Sequence, residues 1–573
     1  MNGIHWLYRR HKLVFYGLWL LISLVQAAGT GLLDDEAYYW VYSRFPDWGY
    51  FDHPPMIALM IRAGSFLFSG ELGVRLLVVI SSTATVAAID SLLEQRNDRL
   101  FYAIALSMAL LQIGGILAAP DLPLMLFIGL FFLAYRSFTR NADLKNALLL
   151  GLVCALMLYS KYHGILVIFF TLLSNPSLLK RWQTWLAGLV GLALFFPHLY
   201  WQYVHDFPSV RYHLFERNAT DYQFGFTLEY VLGQMLLAGP LIGWLLIWSA
   251  WKYRPATPAE RAMKWSFIGI YALFFLATFK GRSEANWTVP AWIGMIVLAH
   301  QYLHANPRKA AWVYKLLVPS LVLVMAARIY MLLDIPPSPL IKKDEFHKNR
   351  EWAMAIREKA GGLPVVFTNS YQKASQYWFY TGDTAFSLNN VWYRRSNYNA
   401  WPLEARSFGK PAVIFSGDNY LFFKDTVKNS RRMIGAARVD SFYSFSQLTF
   451  RGGEKVVGRL PARGSDLMRP SAQSRLVDTT LLMDVPDGLL KLPAFHRYDT
   501  ASVYLVVYFH DNDPAFIIPT GSKVRDGLSG TMKVRFWLPD TLAKGNYRAR
   551  WAIGNPVPGR PSINSSASRL LVE

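Results

Sequence analysis

Several carboxylates and one histidine lie within a short stretch that directly follows a long apolar segment. The acids considered for chemistry are Asp34, Asp35, Glu36 and Asp52, and His53 completes the group. The aromatic residues between them are Tyr38, Tyr39, Trp40, Tyr42, Trp48, Tyr50 and Phe51. Trp and Tyr favour the level of the lipid headgroups, so we expect the stretch at a membrane surface. A carboxylate held there is partly desolvated and can act as a general base, although a charged loop that caps a helix has the same composition.

The composition is that of a membrane protein. Of 573 residues, 53% are hydrophobic and 17% are charged, whereas soluble proteins have about 25% charged residues. The net charge of +21 lies largely in short segments between apolar runs, where Lys and Arg meet anionic headgroups. We therefore expect membrane lipids, and not nucleic acid, as partners. Cys154 is the single cysteine, which excludes an intrachain disulfide.

Apolar runs long enough to cross a bilayer recur along the first part of the chain. We expect about eleven spans, at residues 13–33, 72–92, 100–119, 122–138, 145–160, 162–179, 182–204, 228–250, 264–280, 287–304 and 312–333. The first run follows three basic residues and has small residues at 27–29, which also fits a cleaved signal peptide. The many further runs favour a retained helix. Residues 56–68 are shorter and predict an interfacial helix.

The loops between these runs predict the orientation. With the N-terminus in the cytoplasm, Lys and Arg are more numerous in the inner segments than in the outer ones, as the positive-inside rule requires. An odd number of spans then places the chain after about residue 334 outside. Most acids of the helical part fall at outer helix ends or in outer loops. A proton-coupled transporter usually needs carboxylates near the midplane, so this pattern favours a reaction site at the outer surface.

The chain changes character after about residue 340, where apolar runs shorten to strand length and Gly, Pro, Asn and Asp separate them. We predict a transmembrane domain at residues 1–335, a small α/β domain at 340–465 and a β-sandwich at 470–573. The fold class is thus a polytopic α-helical membrane protein followed by two outer domains.

Several segments, in this order, resemble those of bacterial GT-C glycosyltransferases, the relatives of protein O-mannosyltransferases and of the aminoarabinose transferase that modifies lipid A. The series opens with Asp35-Glu36-Ala-Tyr-Tyr-Trp and Gly49-Tyr-Phe-Asp52-His53-Pro-Pro. It continues at residues 119–124, 159–162, 197–201, 284–287, 371–375 and 397–402. The resemblance covers about the first 400 residues and does not extend to the β-sandwich.

This resemblance implies a GT-C fold and a sugar transfer at the outer face of the membrane. The family takes the sugar from a polyprenyl-phosphate-linked donor and inverts the anomeric carbon. Cations near the lipid phosphate would stabilise the charge on this leaving group. The implied acceptor is lipid A, a surface glycan or a protein. The implied location is a bacterial inner membrane, with the C-terminal domains in the periplasm.

The candidates for the catalytic base are the carboxylates of residues 34–36, which form the acidic turn. Asp35 is the first candidate, and a helix N-cap is the alternative role. Asp34 departs from the family pattern, so either neighbour is a candidate for the working carboxylate, and Asp34 is otherwise counted as substrate-binding. Glu36 either orients the site or faces the headgroups.

Cations and a metal ligand are sought near the donor phosphate. Lys161 lies among apolar residues at an outer helix end, where it either binds phosphate or snorkels to the headgroups. His53 stands where the family pattern has a lysine-like cation, so its charge would depend on pH. Asp52 is either a ligand of a divalent metal ion, the one cofactor considered, or part of a Pro-anchored turn. Arg217, in the outer loop 205–227, is a further candidate for contact with the phosphate.

The remaining candidates are assigned to substrate binding. Asp121 contacts substrate or caps the helix that it begins. Glu284, Asn286 and Trp287 suit sugar recognition, because polar atoms bind hydroxyls and an aromatic face covers the ring, although an interfacial anchor has the same composition. Tyr39, Asp52 and Glu216 complete the set.

Two other classes of function compete with the glycosyltransferase. A polytopic transporter or lipid flippase with an outer glycan-binding domain is one alternative, and the placement of the carboxylates at one surface argues against it. A non-catalytic protein whose outer domains hold glycan is the other alternative, and for that protein Asp35 would be dispensable.

Overall fold

The chain folds into two compact units. The computed structural model describes residues 10–213, 222–335, 337, 344–417, 422–423, 425–428, 433–452, 455–459, 475–510 and 513–573. The first unit comprises Met1–Val210 and Thr220–His347, and the second comprises Arg211–Ala219 and Lys348–Glu573. Glu216 and Arg217 lie outside the described residues. The division into three domains remains a prediction.

The first unit is helical. Its helices are α1 (His11–Gly29), α2 (Asp34–Arg44), α3 (Met56–Leu67), α4 (Gly70–Leu92), α5 (Asp98–Ser107), α6 (Ala109–Gln112), α7 (Asp121–Arg140), α8 (Leu144–Ser160), α9 (Gly164–Ser174), α10 (Trp182–Val204), α11 (Pro208–Arg211), α12 (Phe224–Ala238), α13 (Gly243–Lys252), α14 (Pro258–Ala277), α15 (Val289–His304) and α16 (Pro307–Leu333). The final residue of α11 is assigned to the second unit.

Local hydrogen bonds explain where two of these helices begin. The side chain of Asp143 accepts from the backbone N–H of Asn146 at 2.8 Å and starts α8. Thr257 and Glu260 form a capping box at the start of α14, with Pro258 in the first turn. These side chains satisfy backbone N–H groups that a helix N-terminus leaves without a partner.

The core of the first unit surrounds α15. Residues 289–301 of this helix are all buried, as expected for a helix that is apolar on every side and enclosed by other helices. By contrast, α10 exposes Leu189, Leu192 and Phe196 along one face. An apolar face that other protein elements do not cover fits the hydrocarbon of a bilayer.

Within the part of the chain that the structure describes, five helices are long and apolar enough to cross a membrane, namely α1, α4, α7, α10 and α16. The pairs α5–α6 and α12–α13 are bent by 77° and 93°, and counting each pair as one span gives up to seven. Gly239 occupies the second bend with a φ of 134°, a backbone conformation that favours glycine. A Cβ there would lie 2.9 Å from the carbonyl oxygen of Ser107. The count of about eleven spans remains a prediction.

The second unit contains a five-stranded mixed sheet in the order β2-β1-β3-β5-β4. The strands are β1 (Val365–Thr368), β2 (Ala385–Leu388), β3 (Ala412–Ser416), β4 (Asp425–Lys428) and β5 (Met433–Val439). β1 pairs in parallel with β2 and β3, whereas β5 pairs antiparallel with β3 and β4. Helix α17 (Asn349–Ala360) precedes β1, and α18 (Tyr371–Thr381) connects β1 to β2. This is the α/β arrangement that the sequence predicts for this part of the chain.

The remaining strands of the second unit join in one nine-stranded sheet with the path β10-β9-β12-β14-β7-β8-β11 and with β6 and β13 paired at its side. They are β6 (Thr449–Arg451), β7 (Lys455–Arg459), β8 (Arg475–Asp484), β9 (Ser502–His510), β10 (Asp513–Lys523), β11 (Thr531–Leu538), β12 (Gly545–Ile553), β13 (Ser562–Ile563) and β14 (Ser568–Val572). Short helices α19 (Asp487–Leu490) and α20 (Phe495–Tyr498) precede β9. The C-terminal part is thus rich in sheet, and its core contains Val477, Val507 and Trp551.

Candidate active site

The acidic turn forms the N-terminus of α2, and its three carboxylates have different exposures. Asp34 is half-buried, Asp35 is exposed and Glu36 is buried. Because successive residues of a helix point about 100° apart, the fold directs neighbouring carboxylates to different surroundings. Asp35 is therefore the member of the turn that is most accessible to a solute.

Glu36 forms a buried ion pair with Arg75 of α4. Nε of Arg75 donates to Oε1 of Glu36 at 2.7 Å, and Nη2 donates to Oε2. The other N–H groups of the guanidinium donate to the carbonyl oxygens of Ala27, Thr30 and Gly31. Glu36 also accepts from the backbone N–H of Leu33 at 2.9 Å, which closes the first turn of α2. The pair consequently fixes the acidic turn to α4 and to the end of α1.

The same carboxylate holds the segment that leads into α7. Oε1 of Glu36 accepts from the backbone N–H of Ala118 at 2.6 Å. Asp121 follows three positions later as the first residue of α7, and three residues extend over at most about 11 Å. The anchor of the acidic turn and Asp121 are therefore close neighbours in this unit.

Asp121 joins two other candidate residues. Nζ of Lys161 donates to its Oδ1 at 2.7 Å, and Nδ2 of Asn286 donates to its Oδ2 at 3.1 Å. Lys161 and Asp121 are buried, whereas Asn286 is exposed. Lys161 follows α8 and Asn286 precedes α15, so three separate elements meet at one carboxylate. The arrangement places a buried cation beside an amide that is accessible to solutes.

Asp52 and His53 belong to a turn packed against the aromatic face of α2. The backbone N–H of Tyr50 donates to the carbonyl oxygen of His53 at 3.0 Å. The hydroxyl oxygen of Tyr42 lies 3.5 Å from Oδ2 of Asp52, which is buried. Tyr39 contacts the His53 ring edge to face, with ring centroids 5.6 Å apart. Asp52 and His53 thus lie in a packed turn. Binding of the donor phosphate by His53 and of a metal ion by Asp52 remain predictions.

A chain of hydrogen bonds connects this turn to α10 and to the segment after Lys161. Oγ of Ser209 donates to the carbonyl oxygen of Tyr50 at 3.0 Å. Nε2 of Gln202 donates to Ser209 Oγ at 2.8 Å and to the hydroxyl of Tyr162 at 2.9 Å. The Tyr162 hydroxyl is 3.0 Å from Nε2 of His198.

The partners of His198 fix its tautomer. Its Nδ1 lies 2.7 Å from the carbonyl oxygen of Trp48, which can only accept, so Nδ1 carries the proton. Nε2 then accepts from the hydroxyl of Tyr162. His198 therefore connects the segment at Trp48 to Tyr162. The backbone at Gly49 also packs closely against α10, because a Cβ on Gly49 would lie 2.4 Å from the ring of Trp201.

Sequence reasoning did not select Arg75, Tyr162 or Gln202. Arg75 lies in a long apolar helix, where a charged residue is costly unless it is paired. That signal was available in the sequence, although it did not identify Glu36 as the partner. Tyr162 and Gln202 carry no comparable signal, because a polar residue at the end of an apolar run is common.

Glu284 and Trp287 lie beside Asn286 but have different surroundings. The carboxylate of Glu284 is 4.0 Å from Nε of Arg282, and this Arg also pairs with Glu229 at 3.2 Å. Trp287 packs against the rings of His163 and Phe274, with centroids 6.0 and 5.5 Å away. Trp287 is half-buried, so part of its ring surface is accessible.

One group of three ligand-type side chains is found among the described residues, Asp334, Asp344 and His347. The backbone N–H of Asp334 donates to Nε2 of His347 at 3.0 Å, so Nδ1 carries the ring proton. Nδ1 lies 3.1 Å from Oδ1 of Asp344 and 3.6 Å from Oδ1 of Asp334. A protonated Nδ1 donates to carboxylates and is not a metal ligand. The group is therefore a hydrogen-bonded cap at the end of α16, and Asp52 is not part of it.

Parts of the sequence are similar to known proteins. Residues 52–201 match the family described as dolichyl-phosphate-mannose-protein mannosyltransferase. The lipid A galacturonosyltransferase RgtD of Rhizobium johnstonii is 25% identical over 301 residues, which are 50% of this chain and 63% of that protein. The chain thus matches less than two thirds of the length of this relative.

The fold is similar to that of ArnT from Cupriavidus metallidurans. Its apo crystal structure superposes with a TM-score of 0.54 and 16% identity, covering 76% of this chain and 98% of ArnT. The crystal structure of ArnT bound to undecaprenyl phosphate gives the same TM-score and covers 74% of this chain and 97% of ArnT. The chain therefore has an ArnT-like GT-C fold. This confirms the fold that the sequence resemblance predicts.

Proposed function

We propose that this chain is an integral-membrane glycosyltransferase that moves a sugar from a polyprenyl-phosphate-linked donor to a lipid or glycan acceptor. One observation carries the proposal, namely the meeting of Asp121, Lys161 and Asn286 beside the segment that Glu36 holds. A cation, a hydrogen-bond donor for hydroxyls and an exposed carboxylate are the groups that this transfer needs. The match to a mannosyltransferase family over residues 52–201 supports it.

The reaction is a single displacement at the anomeric carbon. The acceptor hydroxyl oxygen forms a bond to this carbon while the bond from the carbon to the phosphate oxygen breaks. The hydroxyl proton moves to Asp35, which is exposed at the start of α2. The lipid phosphate leaves with the bonding electrons and gains negative charge, and the sugar is inverted.

Lys161 stabilises that leaving group. Asp121 holds its ammonium at 2.7 Å and so directs it before the donor binds. An ammonium is a mobile point charge, which can turn from a carboxylate to a phosphate without losing its charge. His53 and Arg217 are further candidates for phosphate contact.

The remaining candidates serve the acceptor, the sugar or the fold. Glu36 is a positioning residue, because its oxygens hold the acidic turn and the segment before α7. Asn286 and Trp287 contact sugar hydroxyls and a ring face. The other residues proposed for substrate binding are Asp34, Tyr39, Asp52, Asp121, Glu216 and Glu284. Asp52 is also the residue that we propose for a divalent metal ion, if the reaction uses one.

The proposed site opens to the periplasm of a bacterial inner membrane. The N-terminus then lies in the cytoplasm and the second unit lies outside. This orientation follows from the distribution of Lys and Arg among the loops. It places the acidic turn on the side where lipid and glycan acceptors of the cell surface are reached.

The test is sugar transfer in membranes that contain the full chain. Radiolabelled polyprenyl-phosphate-linked mannose, galacturonic acid and aminoarabinose serve as donors, and the wild type is compared with Asp35→Asn. We expect transfer from one of these donors, and a loss of about 10²- to 10⁴-fold in the variant because a general base is removed.

Two matched variants make the result specific. Asp47→Asn removes an exposed carboxylate in the same stretch, whose side chain accepts from the backbone N–H of Trp48, and should retain transfer. Asp34→Asn distinguishes the role of Asp34 from that of its neighbour Asp35. If Asp34→Asn abolishes transfer and Asp35→Asn does not, the base is Asp34. If the wild type transfers sugar from none of the donors, the proposed function is wrong.

A further inference from the structure

Helix α12 packs closely against the turn that carries Asn286 and Trp287. These two residues, which we assign to sugar recognition, lie in the 3₁₀ turn Ala285–Thr288 that precedes α15. A Cβ on Gly233 of α12 would lie 2.8 Å from the Cβ of Ala285. A side chain at this position would push the helix and the turn apart, so glycine permits the close contact.

The next residue of α12, Gln234, forms hydrogen bonds with both ends of this turn. Its Nε2 donates to the carbonyl oxygen of Ala285 at 3.0 Å, and its Oε1 accepts from the hydroxyl of Thr288. The carbonyl oxygen of Ala285 can only accept, which fixes the orientation of the amide group. One side chain thus bridges the first and last residues of the turn, and Asn286 and Trp287 lie between them.

The bridge is buried, and both polar atoms of the Gln234 side chain have partners in it. Gln234 is 3% exposed and Thr288 is 0% exposed. The hydroxyl oxygen of Thr288 also accepts from Nε1 of Trp292 in α15 at 3.2 Å. An amide that is buried in an apolar helix is costly unless it is hydrogen-bonded, and these contacts offset that cost. The turn is therefore held by α12 and by α15 together.

Asn286 connects the turn to the carboxylate that holds Lys161. Its Nδ2 donates to Oδ2 of Asp121 at 3.1 Å, while Oδ1 of Asp121 accepts from Nζ of Lys161 at 2.7 Å. A shift of the turn would therefore displace Asn286 and Trp287 together and remove a partner of Asp121. A binding group that is misplaced by about 1 Å can cost about 10²-fold in rate.

We propose that Gln234 is a positioning residue for the transferred sugar and acts through the 285–288 turn. It keeps Asn286 at the hydroxyls and Trp287 at the ring face of the sugar, and Gly233 allows the helix to come close enough for this contact. The inference rests on the proposed sugar transfer, in which Asn286 and Trp287 bind the sugar.

The kinetics of Gln234→Leu test the proposal in membranes that contain the full chain, with the donor that the wild type uses. Leu is of similar size and removes both hydrogen-bonding groups. We expect the KM for the donor to rise about tenfold or more, because the contacts with the sugar are displaced, whereas the KM for the acceptor stays unchanged. A loss of folded protein alone would lower the apparent kcat and leave both KM values as they are.

Conservative and matched variants distinguish the contact from general damage to α12. Thr288→Ser keeps the hydroxyl and should resemble the wild type, whereas Thr288→Val removes it and should resemble Gln234→Leu. Gly233→Ala should also raise the KM for the donor. Gly225→Ala in the same helix should not, because a Cβ on Gly225 would meet no atom within 4 Å.

Hydrogen exchange of the backbone amides at 285–288 gives a readout that needs no sugar transfer. It is measured on the purified full chain in detergent. Gln234→Leu should speed the exchange of this segment. Thr227→Val is the control, because it removes a hydrogen bond between the same helix and Thr278 and leaves the turn untouched.

The two readouts separate failure of the inference from failure of the proposed function. A KM for the donor that is unchanged in Gln234→Leu would overturn the inference, even where the exchange at 285–288 is faster. If the wild type transfers no sugar, the proposed function is wrong, and the exchange still decides whether Gln234 holds the turn. Unchanged exchange in Gln234→Leu would then overturn that contact as well.

Discussion

Two buried ion pairs of the helical unit differ in how they hold their charges. In the first pair, Arg75 donates two hydrogen bonds to Glu36 and the rest to backbone carbonyls. In the second pair, Lys161 donates to one oxygen of Asp121, and the other oxygen accepts from an exposed amide. Arg75 and Glu36 are 0% and 2% exposed, whereas Lys161 and Asp121 are 6% and 9% exposed.

The difference indicates two separate roles for pairs that look alike in sequence. A planar guanidinium with all its donors occupied cannot turn to another partner without breaking several hydrogen bonds. An ammonium with one strong partner can exchange it for the phosphate of a substrate at small cost. We therefore assign the first pair to structure and the second pair to the reaction.

The largest effect is expected from Arg75→Met. This change leaves Glu36 buried without its cation, and removing one member of a buried pair costs about 3–5 kcal/mol. Thermal unfolding of the full chain in detergent should show a much lower midpoint. The double variant Arg75→Met/Glu36→Leu should recover part of the loss, because no charge is then left alone. A midpoint equal to that of the wild type in Arg75→Met would contradict the structural role.

The second pair should affect transfer more than folding. The double variant Asp121→Asn/Lys161→Gln keeps a hydrogen-bonded pair without charge, so its unfolding midpoint should stay near that of the wild type. Transfer should fall about 10²-fold or more, because the cation beside the leaving phosphate is gone. Activity in membranes and unfolding in detergent are measured on the same preparation. A double variant that retains full transfer would remove Lys161 from the reaction.

A third buried carboxylate, Glu404 of the second unit, has backbone amides in place of a cation. It accepts from the N–H groups of Ser444, Phe445 and Ser446 at 2.7, 2.7 and 2.9 Å. Glu404→Gln places an amide N–H against one of these donors, and we expect a loss of about 1–3 kcal/mol. Unfolding of the full chain measures it, and an unchanged midpoint would show that the three hydrogen bonds are dispensable.

The same residue predicts a pH dependence. Burial raises the pKa of the Glu404 carboxyl above its ordinary value of 4.5, and the hydrogen bonds to the segment 444–446 act in the opposite direction. The folded state therefore holds the proton more tightly than the unfolded chain does. This contribution to stability is complete below pH 4.5 and is lost as the pH rises through the folded pKa. The stability difference between wild type and Glu404→Gln should accordingly shrink from pH 4 to pH 7, and a difference that grows would contradict the sign.

The smallest effect is expected from Arg282→Gln. Its side chain is 61% exposed and pairs with Glu229 and Glu284, which are 60% and 41% exposed. Exposed pairs contribute little, so the free energy of unfolding should change by less than about 0.5 kcal/mol. Arg282 is the ion-pair partner of Glu284, so the change also frees this carboxylate. A strong fall in transfer would then indicate that Glu284 acts in the site and not as an anchor at the membrane interface.

Much of the fold was predictable because it depends on local pattern. The long apolar runs became the helices of the first unit, since a bilayer segment must satisfy its backbone groups internally. The change to short strands after residue 340 also followed from the spacing of turn residues. The position of β6 and β7 within the nine-stranded sheet did not follow, because strand pairing joins segments that are distant in the chain.

The sequence by itself determined which groups are available for chemistry. It supplied an acidic turn after an apolar helix, a lysine at an outer helix end and an asparagine beside a tryptophan. The resemblance of these segments to those of GT-C glycosyltransferases then implied a GT-C fold and the kind of transfer now proposed.

Only the tertiary structure decided which of these groups are paired with one another. It paired Glu36 with Arg75 and left Asp35 exposed, although the two acids are neighbours in the chain. It also joined Asp121 to Lys161 and Asn286, which are 40 and 165 positions away. Pairing of this kind depends on helix packing, which sets burial and distance between residues that no local pattern relates. The role of each carboxylate therefore follows from its partner, and the partner is chosen by the fold.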